Sequence, residues 1–359
     1  MGIPDGIAAY EQVVFGNDPA AGLRAIVAVH STALGPALGG TRFVPYPDED
    51  AALADVLDLA RAMTYKNALA GLPHGGGKAV IIGDPHRDKT PELVTAYGRL
   101  VASLHGAYVT AADVGTYVAD MDLISTVNPW TTGRSPALGG CGDSGDLTAV
   151  GVHHALRAVA EHLWGTPSLA GRRVGITGAG KVGARLAAHV VAEGGRVLVA
   201  DVSAEALERL RASVPEAEIA ADADAVVDAE LDVFSPCALG GAVTAEVAGR
   251  LTARAVCGAA NNQLAEHGLV DVLAGRGVLF APDFLVNAGG VIAVAAEYAG
   301  AGRYDDDAAR ARARAIGDTL LDVLRRAEAS GRTPLAEAEA LAEERIAAAP
   351  PRPSFTSPA

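Results

Sequence analysis

The stretch RVGITGAGKVG, residues 173–183, predicts the fold of the second half of the chain. An apolar run leads into glycines spaced as GxGxxG, and a helical pattern follows. The next apolar run, residues 196–200, ends at Asp201, 18 positions after Gly183. A lone GxGxxG is weak evidence. A strand before it, a helix after it and an acidic residue about 20 positions on form the setting of a dinucleotide-binding fold.

Each glycine of this turn has a separate predicted task. Gly178 permits the tight turn, Gly180 lets the backbone approach a pyrophosphate, and Gly183 lets the helix pack close to the strand. The helix N-terminus offers free N–H groups and a positive dipole to the phosphate. Asp201 would bind the adenosine ribose hydroxyls and repel a 2′-phosphate, so we expect NAD rather than NADP. The predicted cofactor-binding turn comprises Gly178, Ala179, Gly180, Lys181, Val182 and Gly183.

Strand and helix patterns alternate along the rest of the chain. Short apolar runs at 231–234, 255–258 and 278–280 are separated by helical patterns, which indicates a parallel sheet with helices on both faces. Nearer the N-terminus, apolar strands alternate with amphipathic helices at 50–69 and 90–104. The predicted fold class is therefore α/β with two domains. An N-terminal α/β domain precedes a Rossmann-type, doubly wound NAD-binding domain, with a cleft between them.

Composition suggests the domain boundaries. The segment 133–146 is rich in Gly, Ser, Pro and Asp and is the predicted linker. We expect residues 1–131 to form the first domain and residues 132–327 to form the second. Helices within 328–347 are expected to return to the first domain. The Pro- and Ser-rich residues 350–359 are predicted to be a disordered tail.

Composition and charge exclude several classes of protein. The 359 residues are 50% hydrophobic with a formal charge of −14 and few aromatics, which argues against disorder and against nucleic-acid binding. Three cysteines without a CxxC spacing favour a reducing cytoplasm. No zinc-ligand spacing is present, so we expect no metal. We also expect no signal peptide and no membrane partner, because neither a leader pattern nor an 18-residue apolar stretch is visible.

Two of the four lysines in the chain frame the segment YKNALAGLPHGGGK, residues 65–78. Elsewhere the positive charge is mostly arginine. Lysine is a compact point charge whose pKa can be lowered by burial, whereas arginine stays protonated. The three glycines before Lys78 predict a loop where backbone and a small ligand can approach closely. We interpret Lys66 and Lys78 as a substrate-handling pair, in preference to two surface lysines beside a turn.

Several motifs taken together resemble the amino-acid dehydrogenases of the glutamate, leucine, phenylalanine and valine dehydrogenase superfamily. The resemblance covers about residues 20 to 347 and is greatest to leucine and valine dehydrogenases, with phenylalanine dehydrogenases close. It implies reversible NAD-linked deamination of an L-amino acid to a 2-oxo acid and ammonia, by a homo-oligomer that assembles through the first domain. The motifs are GGTR at 39–42, GGGK at 75–78, TAADVGT at 110–116, the glycine turn, PCALG at 236–240, GAANN at 258–262 and APDFLVNAGG at 281–290.

The resemblance also implies roles for individual residues. Lys66 resembles the lysine that binds the substrate carboxylate, and Lys78 resembles the catalytic lysine. Asp113 resembles the general acid/base for the substrate nitrogen. The carbonyl of Gly40 is an expected amine acceptor, and Asn262 would lie at the substrate and nicotinamide end of the site. The remaining implied site residues are Arg42, which is either structural or near the substrate carboxylate, Thr148 near the nicotinamide amide, and Ala238, Ala260 and Asn261, with Asn262, at the cofactor.

The mechanism implied by the resemblance begins with hydride transfer from the substrate Cα to the nicotinamide, which gives an iminium. Water held by Lys78 and Asp113 attacks the iminium, and ammonia leaves from the carbinolamine. The cofactor performs the redox step, and the protein orients the reactants and handles the protons.

Substrate choice is predicted from one position and one apolar set. Glutamate-specific relatives carry a lysine directly before the Gly-Gly-x-Arg motif, where this chain has Leu38, so we expect glutamate to be rejected. The resemblance favours valine, leucine and isoleucine. Phenylalanine is the alternative, because the stretches GLP and GAANN also resemble phenylalanine dehydrogenases, and a noncatalytic NAD-binding regulatory module is the remote alternative. The expected pocket residues are Leu38, Met63, Ala111, Val291 and Val294.

Overall fold

The structure is a computed structural model that describes residues 5–300 and 303–350. It divides into two compact units. Within the described residues, unit 1 contains residues 5–144, 291–300, 303–308 and 342–350, and unit 2 contains residues 145–290 and 309–341. Apart from Pro350, the predicted tail at 350–359 lies outside the described residues.

Unit 1 is built on a five-stranded mixed sheet with the strand order β1-β2-β4-β3-β5. The β1–β2 and β2–β4 pairs are antiparallel, and the β3–β4 and β3–β5 pairs are parallel. The strands are β1 (Gln12–Asp18), β2 (Leu23–Ser31), β3 (Ala37–Val44), β4 (Gly75–Ile82) and β5 (Tyr108–Ala112). The helices that precede residue 130 are α1 (Glu49–Leu69), α2 (Pro91–Ala102) and α3 (Val118–Ser125).

Local signals in the sequence explain where the first two helices begin. Asp48 caps α1, because its side chain accepts a hydrogen bond from the Ala51 N–H at 2.8 Å. Thr90 caps α2 in the same way, and Pro91 occupies the first helical position. Successive residues of β2 join different apolar clusters, with Ile26 in one and Val27 in the other. The central strands of this sheet are therefore buried on both faces.

The glycine run before Lys78 is part of a strand and not the predicted loop, because β4 already begins at Gly75. A Cβ atom on Gly76 would lie 2.0 Å from the Thr64 backbone nitrogen in α1. A Cβ atom on Gly77 would lie 2.8 Å from the ring of Tyr108. The glycines therefore let the protein pack closely against itself, which is a different use from the expected approach of a ligand.

Unit 2 is built on a six-stranded parallel sheet with the order β11-β10-β9-β6-β7-β8. Counted within the unit, this is the 3-2-1-4-5-6 order of doubly wound dinucleotide-binding folds, so the predicted Rossmann-type architecture is confirmed. The strands are β6 (Arg173–Thr177), β7 (Arg196–Ala200), β8 (Glu218–Ile219), β9 (Val233–Pro236), β10 (Ala255–Val256) and β11 (Leu279–Phe280).

The remaining helices follow residue 144, and the unit boundaries fall inside α11, α12 and α14. They are α4 (Gly145–Trp164), α5 (Lys181–Ala192), α6 (Ala204–Ser213), α7 (Ala223–Val227), α8 (Ala245–Arg250), α9 (Leu269–Gly275), α10 (Asp283–Val286), α11 (Gly289–Ala299), α12 (Asp306–Arg314), α13 (Ile316–Ser330) and α14 (Pro334–Ala347). In the part of the chain that is described, no helix combines the length and apolar character needed to cross a bilayer.

The two units divide the chain differently from the predicted domains. Residues 132–144 belong to unit 1, because the Thr132 N–H donates to the Thr110 carbonyl of β5 at 2.9 Å. Residues 291–308 also belong to unit 1. The first part of α14 stays in unit 2, where Leu335 joins the apolar cluster of that unit, so the chain returns to unit 1 only from residue 342.

The close crossing of α1 and β4 gives a stability prediction. We expect Gly76→Ala to destabilise the protein by about 1–3 kcal/mol, because the new methyl group meets backbone rather than a flexible side chain. Gly249→Ala in α8 is the control. Among the described residues, a Cβ atom there meets nothing within 4 Å, and alanine should raise stability by about 0.5–1 kcal/mol. Urea unfolding midpoints measure both effects, and equal midpoints for the two variants would contradict the packing argument.

Candidate active site

An ion pair between Lys78 and Asp113 is the main polar feature of unit 1. Lys78 lies in β4 and is 6% exposed, and its Nζ donates a hydrogen bond to Oδ2 of Asp113, which directly follows β5. Strand β3 lies between β4 and β5, and at this point it has glycines in place of side chains. A Cβ atom on Gly40 would lie 2.8 Å from the Cβ of Asp113, and one on Gly39 would lie 1.9 Å from the Gly77 carbonyl oxygen. Glycine in β3 therefore permits the close packing around the pair.

Backbone groups next to Asp113 position its carboxylate, in addition to Lys78. Its Oδ1 accepts a hydrogen bond from the Val114 N–H at 2.6 Å. The Asp113 N–H donates to Oγ1 of Thr116 at 2.9 Å, and this hydroxyl donates to the Thr41 carbonyl at 2.7 Å. The side chain is therefore oriented before any ligand binds.

The charges around Asp113 keep it ionised. Burial by itself would raise the pKa of this carboxyl, but the charge and hydrogen bond of Lys78 outweigh burial. With smaller contributions from Arg42 and the Val114 N–H, they lower the pKa of Asp113 to about 2. Asp113 is therefore a carboxylate at neutral pH, able to accept a hydrogen bond or a proton.

Arg42 binds another carboxylate of unit 1. Its Nη1 donates to both oxygens of Asp55 in α1, at 2.9 and 3.1 Å, and Tyr46 donates to the same carboxylate at 2.5 Å. Burial opposes a charged guanidinium, but Asp113 and Asp55 raise the pKa of Arg42 overall. Arg42 therefore links β3 to α1 and places positive charge near Asp113. Direct substrate contact by Arg42 stays a prediction.

A buried tyrosine positions the backbone at Gly40. The hydroxyl of Tyr108 donates to the carbonyls of Gly39 and Gly40, at 2.8 and 3.1 Å. Burial raises the pKa of Tyr108 well above its usual value, so the hydroxyl stays a donor. A carbonyl oxygen has two lone pairs, which leaves Gly40 able to accept a second hydrogen bond. Sequence reasoning missed Tyr108, and the only signal for it was its place two residues before the TAADVGT motif.

Lys66 lies in the last turn of α1 and is half-buried. The next residue, Asn67, is fully buried, and its Nδ2 donates to the carbonyls of Leu38 and Gly75, at 3.1 and 2.6 Å. These bonds fix the end of α1 against β3 and β4. Asn67 therefore fixes the backbone that carries Lys66, and its position beside that lysine was the only sequence signal for it.

The five predicted pocket residues all belong to unit 1 and are all buried. Val294 of α11 lies near the end of β5, because a Cβ atom on Gly133 would be 3.6 Å from Cγ1 of Val294 and 3.7 Å from the Ala112 nitrogen. Met63 of α1 lies near β3, with its Cγ 3.3 Å from a Cβ atom on Gly39. The exposed fractions are 0% for Leu38, 9% for Met63, 4% for Ala111, 8% for Val291 and 7% for Val294.

The glycine turn of unit 2 has the backbone geometry that a pyrophosphate site needs. Gly178 has a φ of +108°, which disfavours any side chain. A Cβ atom on Gly183 would lie 1.8 Å from the Gly178 carbonyl oxygen, whereas one on Gly180 would meet no described atom within 4 Å. The turn is therefore open at Gly180, directly before the N-terminus of α5. Of the other turn residues, Ala179 is buried, Val182 is half-buried and Lys181 is exposed.

Asp201 lies beside this turn, at the end of β7. Its Oδ2 accepts from the Ala179 N–H at 2.6 Å and its Oδ1 accepts from the Ser203 N–H at 2.7 Å. Each oxygen keeps a further lone pair for a ligand hydroxyl. A Cβ atom on Gly178 would lie 2.8 Å from the Ala238 nitrogen, so the loops after β6 and β9 meet. In this strand order, that is the point where ligands bind.

The predicted nicotinamide-end residues are also in unit 2. Asn261 and Asn262 are exposed on a loop, and Asn262 has a φ of +50°. Asn287 holds this loop, because its Nδ2 donates to Oδ1 of Asn261 at 2.9 Å, and Gln263 donates to the Ala260 carbonyl at 3.0 Å. Asn287 and Gln263 were missed, although both lie in or beside the quoted motifs. Thr148 lies against the start of α11, since a Cβ atom on Gly289 would be 2.6 Å from its nitrogen.

Metal chemistry was not expected from the sequence. Within residues 5–300 and 303–350, no group of three or more His, Cys, Asp or Glu side chains is arranged to hold a metal ion. The absence of a metal in the working protein stays a prediction.

Comparison with known proteins identifies the family. The model described as Glu/Leu/Phe/Val dehydrogenase, dimerisation domain, matches residues 10–128, and the model described as Glutamate/Leucine/Phenylalanine/Valine dehydrogenase matches residues 199–351. The chain belongs to the Glu/Leu/Phe/Val dehydrogenase family. It is therefore an amino-acid dehydrogenase, an oxidoreductase that acts on CH–NH₂ groups with a nicotinamide dinucleotide, and the resemblance inferred from its motifs is confirmed.

Relatives within this family align along nearly the whole chain. A valine dehydrogenase from Streptomyces coelicolor is 56% identical, covering 96% of this chain and 94% of that protein. A leucine dehydrogenase from Bacillus cereus is 44% identical, covering 94% and 91%. Among solved structures, an L-tryptophan dehydrogenase from Nostoc punctiforme has a TM-score of 0.81 and 37% identity, covering 94% of this chain and 96% of that one.

The Lys78–Asp113 pair gives a prediction of pH-dependent stability. In the wild type the pKa of Asp113 is depressed, so its stabilising contribution is present above the usual pKa of 3.8 and is lost as the pH falls toward 2. Lys78→Met removes the main cause of that depression, leaves the half-buried carboxylate without its partner, and costs at most about 3–5 kcal/mol near neutral pH. We therefore expect the difference in melting temperature between wild type and variant to grow from pH 3 to pH 6.

The double variant Lys78→Met/Asp113→Asn is the control for this prediction, because it has no carboxylate to titrate at position 113. The melting temperature of the double variant should fall further below that of the wild type as the pH rises, because the wild-type ion pair then contributes more stability. Below pH 4, Lys78→Met should melt at about the same temperature as the double variant. A melting-temperature gap between wild type and Lys78→Met that stays constant with pH would contradict the assigned pKa depression.

Proposed function

We propose that this chain catalyses the NAD-dependent, reversible oxidative deamination of a branched-chain L-amino acid to its 2-oxo acid and ammonia. The observation that carries the proposal is the buried ion pair of Lys78 and Asp113, in the same unit as an apolar set of Leu, Met, Ala and Val side chains. Identity of 56% to a valine dehydrogenase and 44% to a leucine dehydrogenase supports this substrate class.

In this proposal, the two lysines and the aspartate divide the work on the substrate. Lys66 binds the substrate carboxylate, with α1 fixed beneath it by Asn67. Lys78 donates hydrogen bonds to the attacking water and to the oxygen of the carbinolamine. Asp113 accepts protons from the substrate nitrogen and from water, and returns them when ammonia leaves.

A low pKa in the unliganded protein is compatible with a role as a base if the bound substrate draws Lys78 away from Asp113. In the unliganded site the ammonium of Lys78 stabilises the carboxylate and holds its proton affinity down. When Lys78 turns its hydrogen bonds toward a substrate oxygen, Asp113 loses part of that stabilisation while it stays buried, so its pKa rises. The pair thus supplies a base that becomes stronger only when substrate is bound.

The cofactor proposal rests on unit 2. The open backbone at Gly180 and the N-terminus of α5 would hold the pyrophosphate, and Asp201 would bind the adenosine ribose. A carboxylate at this position disfavours a 2′-phosphate, so we propose NAD rather than NADP. When bound, the nicotinamide supplies the acceptor for the hydride that leaves the substrate Cα. Val202 and Leu239, both highly exposed, adjoin Asp201 and Ala238 and offer apolar surface for a base.

The substrate proposal rests on the apolar set of unit 1. Leu38 is fully buried, and a glutamate side chain placed there would leave its carboxylate unpaired. Pockets that differ by a methylene discriminate by only about 1–3 kcal/mol, so valine, leucine and isoleucine are proposed together. Phenylalanine is the alternative, and the aromatic substrate in the name of the Nostoc punctiforme relative keeps it in the test. The remote alternative, a noncatalytic NAD-binding regulatory module, gives no reason for the presence of the Lys78–Asp113 ion pair.

Assembly and location complete the proposal. The family model matched by residues 10–128 is described as a dimerisation domain, so we propose that the chain forms a homo-oligomer through unit 1. Cys141, Cys237 and Cys257 are all free, which suits a cytoplasmic protein. The proposed partners are the small-molecule substrates, with neither nucleic acid nor membrane.

A panel of substrates tests the proposed function. We expect NADH formation with valine, leucine and isoleucine at kcat/KM values at least about 10-fold above that for phenylalanine, and no turnover of glutamate. The same assay with NADP should be far slower than with NAD. Absorbance at 340 nm follows each reaction. A preference for phenylalanine would move the assignment to the aromatic alternative, and silence with every amino acid would refute the dehydrogenase proposal.

A lysine variant tests the proposed chemistry. We expect Lys78→Ala to lower kcat by about 100- to 10,000-fold, the usual contribution of acid–base catalysis, while NAD affinity stays near that of the wild type. Lys89→Ala is the matched control, because Lys89 pairs with Asp120 at 2.7 Å and has no proposed catalytic task. Steady-state kinetics and NADH fluorescence titration measure the two quantities, and near-normal turnover by Lys78→Ala would refute the role.

A further inference from the structure

Unit 1 contains a fully buried carboxylate, which the proposed chemistry does not use. Glu297 of α11 has 0% exposure. Its Oε1 accepts a hydrogen bond from Nε of Arg134 at 2.8 Å, and its Oε2 accepts from the N–H groups of Gly133 and Cys141, at 2.9 and 3.0 Å. A buried charge is costly unless it is paired and hydrogen-bonded. The three donors meet that requirement.

All three donors belong to one loop, residues 133–142. This loop continues from residues 130–132, which run beside β5, because the Thr110 N–H donates to the Trp130 carbonyl at 3.0 Å. The Thr132 N–H in turn donates to the Thr110 carbonyl at 2.9 Å. Glu297 therefore ties α11, through the loop, to the strand that carries Ala111 and leads to Asp113.

The same helix supplies two of the proposed pocket residues. Val291, Val294 and Glu297 are spaced by three residues, which places neighbours in this series on the same side of a helix. Gly133 provides the contact, because a Cβ atom there would lie 3.6 Å from Cγ1 of Val294. Its N–H is also one of the donors to Glu297. The carboxylate and the pocket valine thus meet the same loop residue.

A second contact fixes Tyr298, the residue of α11 that follows Glu297. The ring of Tyr298 lies edge-on to the ring of His74, with centroids 5.3 Å apart. His74 is buried, and its Nδ1 is 3.1 Å from the Pro36 carbonyl oxygen. It directly precedes β4, the strand of Lys78. The helix is therefore held both to the loop beside β5 and to the start of β4.

We propose that Glu297 is a positioning residue for substrate specificity. By binding Arg134 and the two loop N–H groups, it sets the distance of Val291 and Val294 from Ala111, and this distance fixes the size of the pocket for the substrate side chain. The inference rests on the proposed function. It adds a residue that touches no substrate but controls which substrate side chains are accepted.

The charge of Glu297, and not only its shape, is needed for this task. Glutamine has the same shape but carries one acceptor oxygen, and its amide NH₂ would face either the loop N–H groups or the guanidinium of Arg134. At least one donor would then lose its acceptor inside the protein, which is unfavourable. The loop and the helix would relax apart, and the pocket would widen.

The decisive experiment compares selectivity in Glu297→Gln and the wild type. We expect KM for valine to rise by about 10-fold with a smaller change in kcat, and the ratio of kcat/KM for phenylalanine to that for valine to rise by about 10-fold. Arg134→Gln should shift the ratio in the same direction, and the double variant should add little, because both changes break one network. Glu49→Gln, at the exposed Arg24–Glu49 pair, is the control and should leave the ratio unchanged.

The outcomes separate this inference from the proposed function. A wild type that shows no amino-acid-dependent NAD reduction would defeat the function itself. An active, folded Glu297→Gln variant with wild-type selectivity, or with all substrates slowed equally, would overturn the positioning role alone. If Glu297→Gln does not fold, Glu297→Asp and Arg134→Gln carry the test. Glu297→Asp keeps the charge and should shift selectivity less than Arg134→Gln, and unchanged ratios in both variants would overturn the proposal.

Discussion

The ion pair between buried Lys78 and half-buried Asp113 imposes the main constraint on unit 1. Either charge alone would be costly at that depth, so the strands that carry them must keep the pair together. The residues around the pair serve this end. Glycines in β3 make room between the two strands, and Thr116 and the Val114 N–H fix the carboxylate. The low pKa of Asp113 is the electrostatic consequence.

Unit 2 has a different constraint: a ligand must be able to approach the backbone N–H groups of the glycine turn. A pyrophosphate is bound by N–H groups, so side chains must be absent where it approaches and the turn must be rigid. Gly180 provides the open approach, whereas Gly178 and Gly183 are required by the packing of the turn itself. Asp201 accepts a hydrogen bond from the Ala179 N–H and keeps lone pairs that can accept further hydrogen bonds. The family assignment is consistent with this division of tasks between the units.

In both units, buried polar side chains fix the backbone segments that carry the proposed site residues. Asn67 fixes the end of α1, Tyr108 fixes the backbone of β3, and Asn287 fixes the loop of Asn261. Each donates a hydrogen bond to a backbone carbonyl or amide oxygen of a neighbouring segment. Glu297 instead accepts hydrogen bonds from the loop at 133–142, with a full charge. The positions of the proposed catalytic and pocket residues therefore depend on polar side chains to which no catalytic task is assigned.

The sequence by itself determined the α/β class, the glycine turn between a strand and a helix, and the family, because each depends on local spacing: apolar periodicity, glycine intervals and contiguous motifs. Only the tertiary structure decided that the glycines before Lys78 form a strand against α1, and that residues 132–144 and 291–308 join unit 1. It alone showed that Glu297 meets Arg134. These features arise from contacts between residues far apart in the chain, and no local pattern records which distant backbone groups a buried side chain must satisfy.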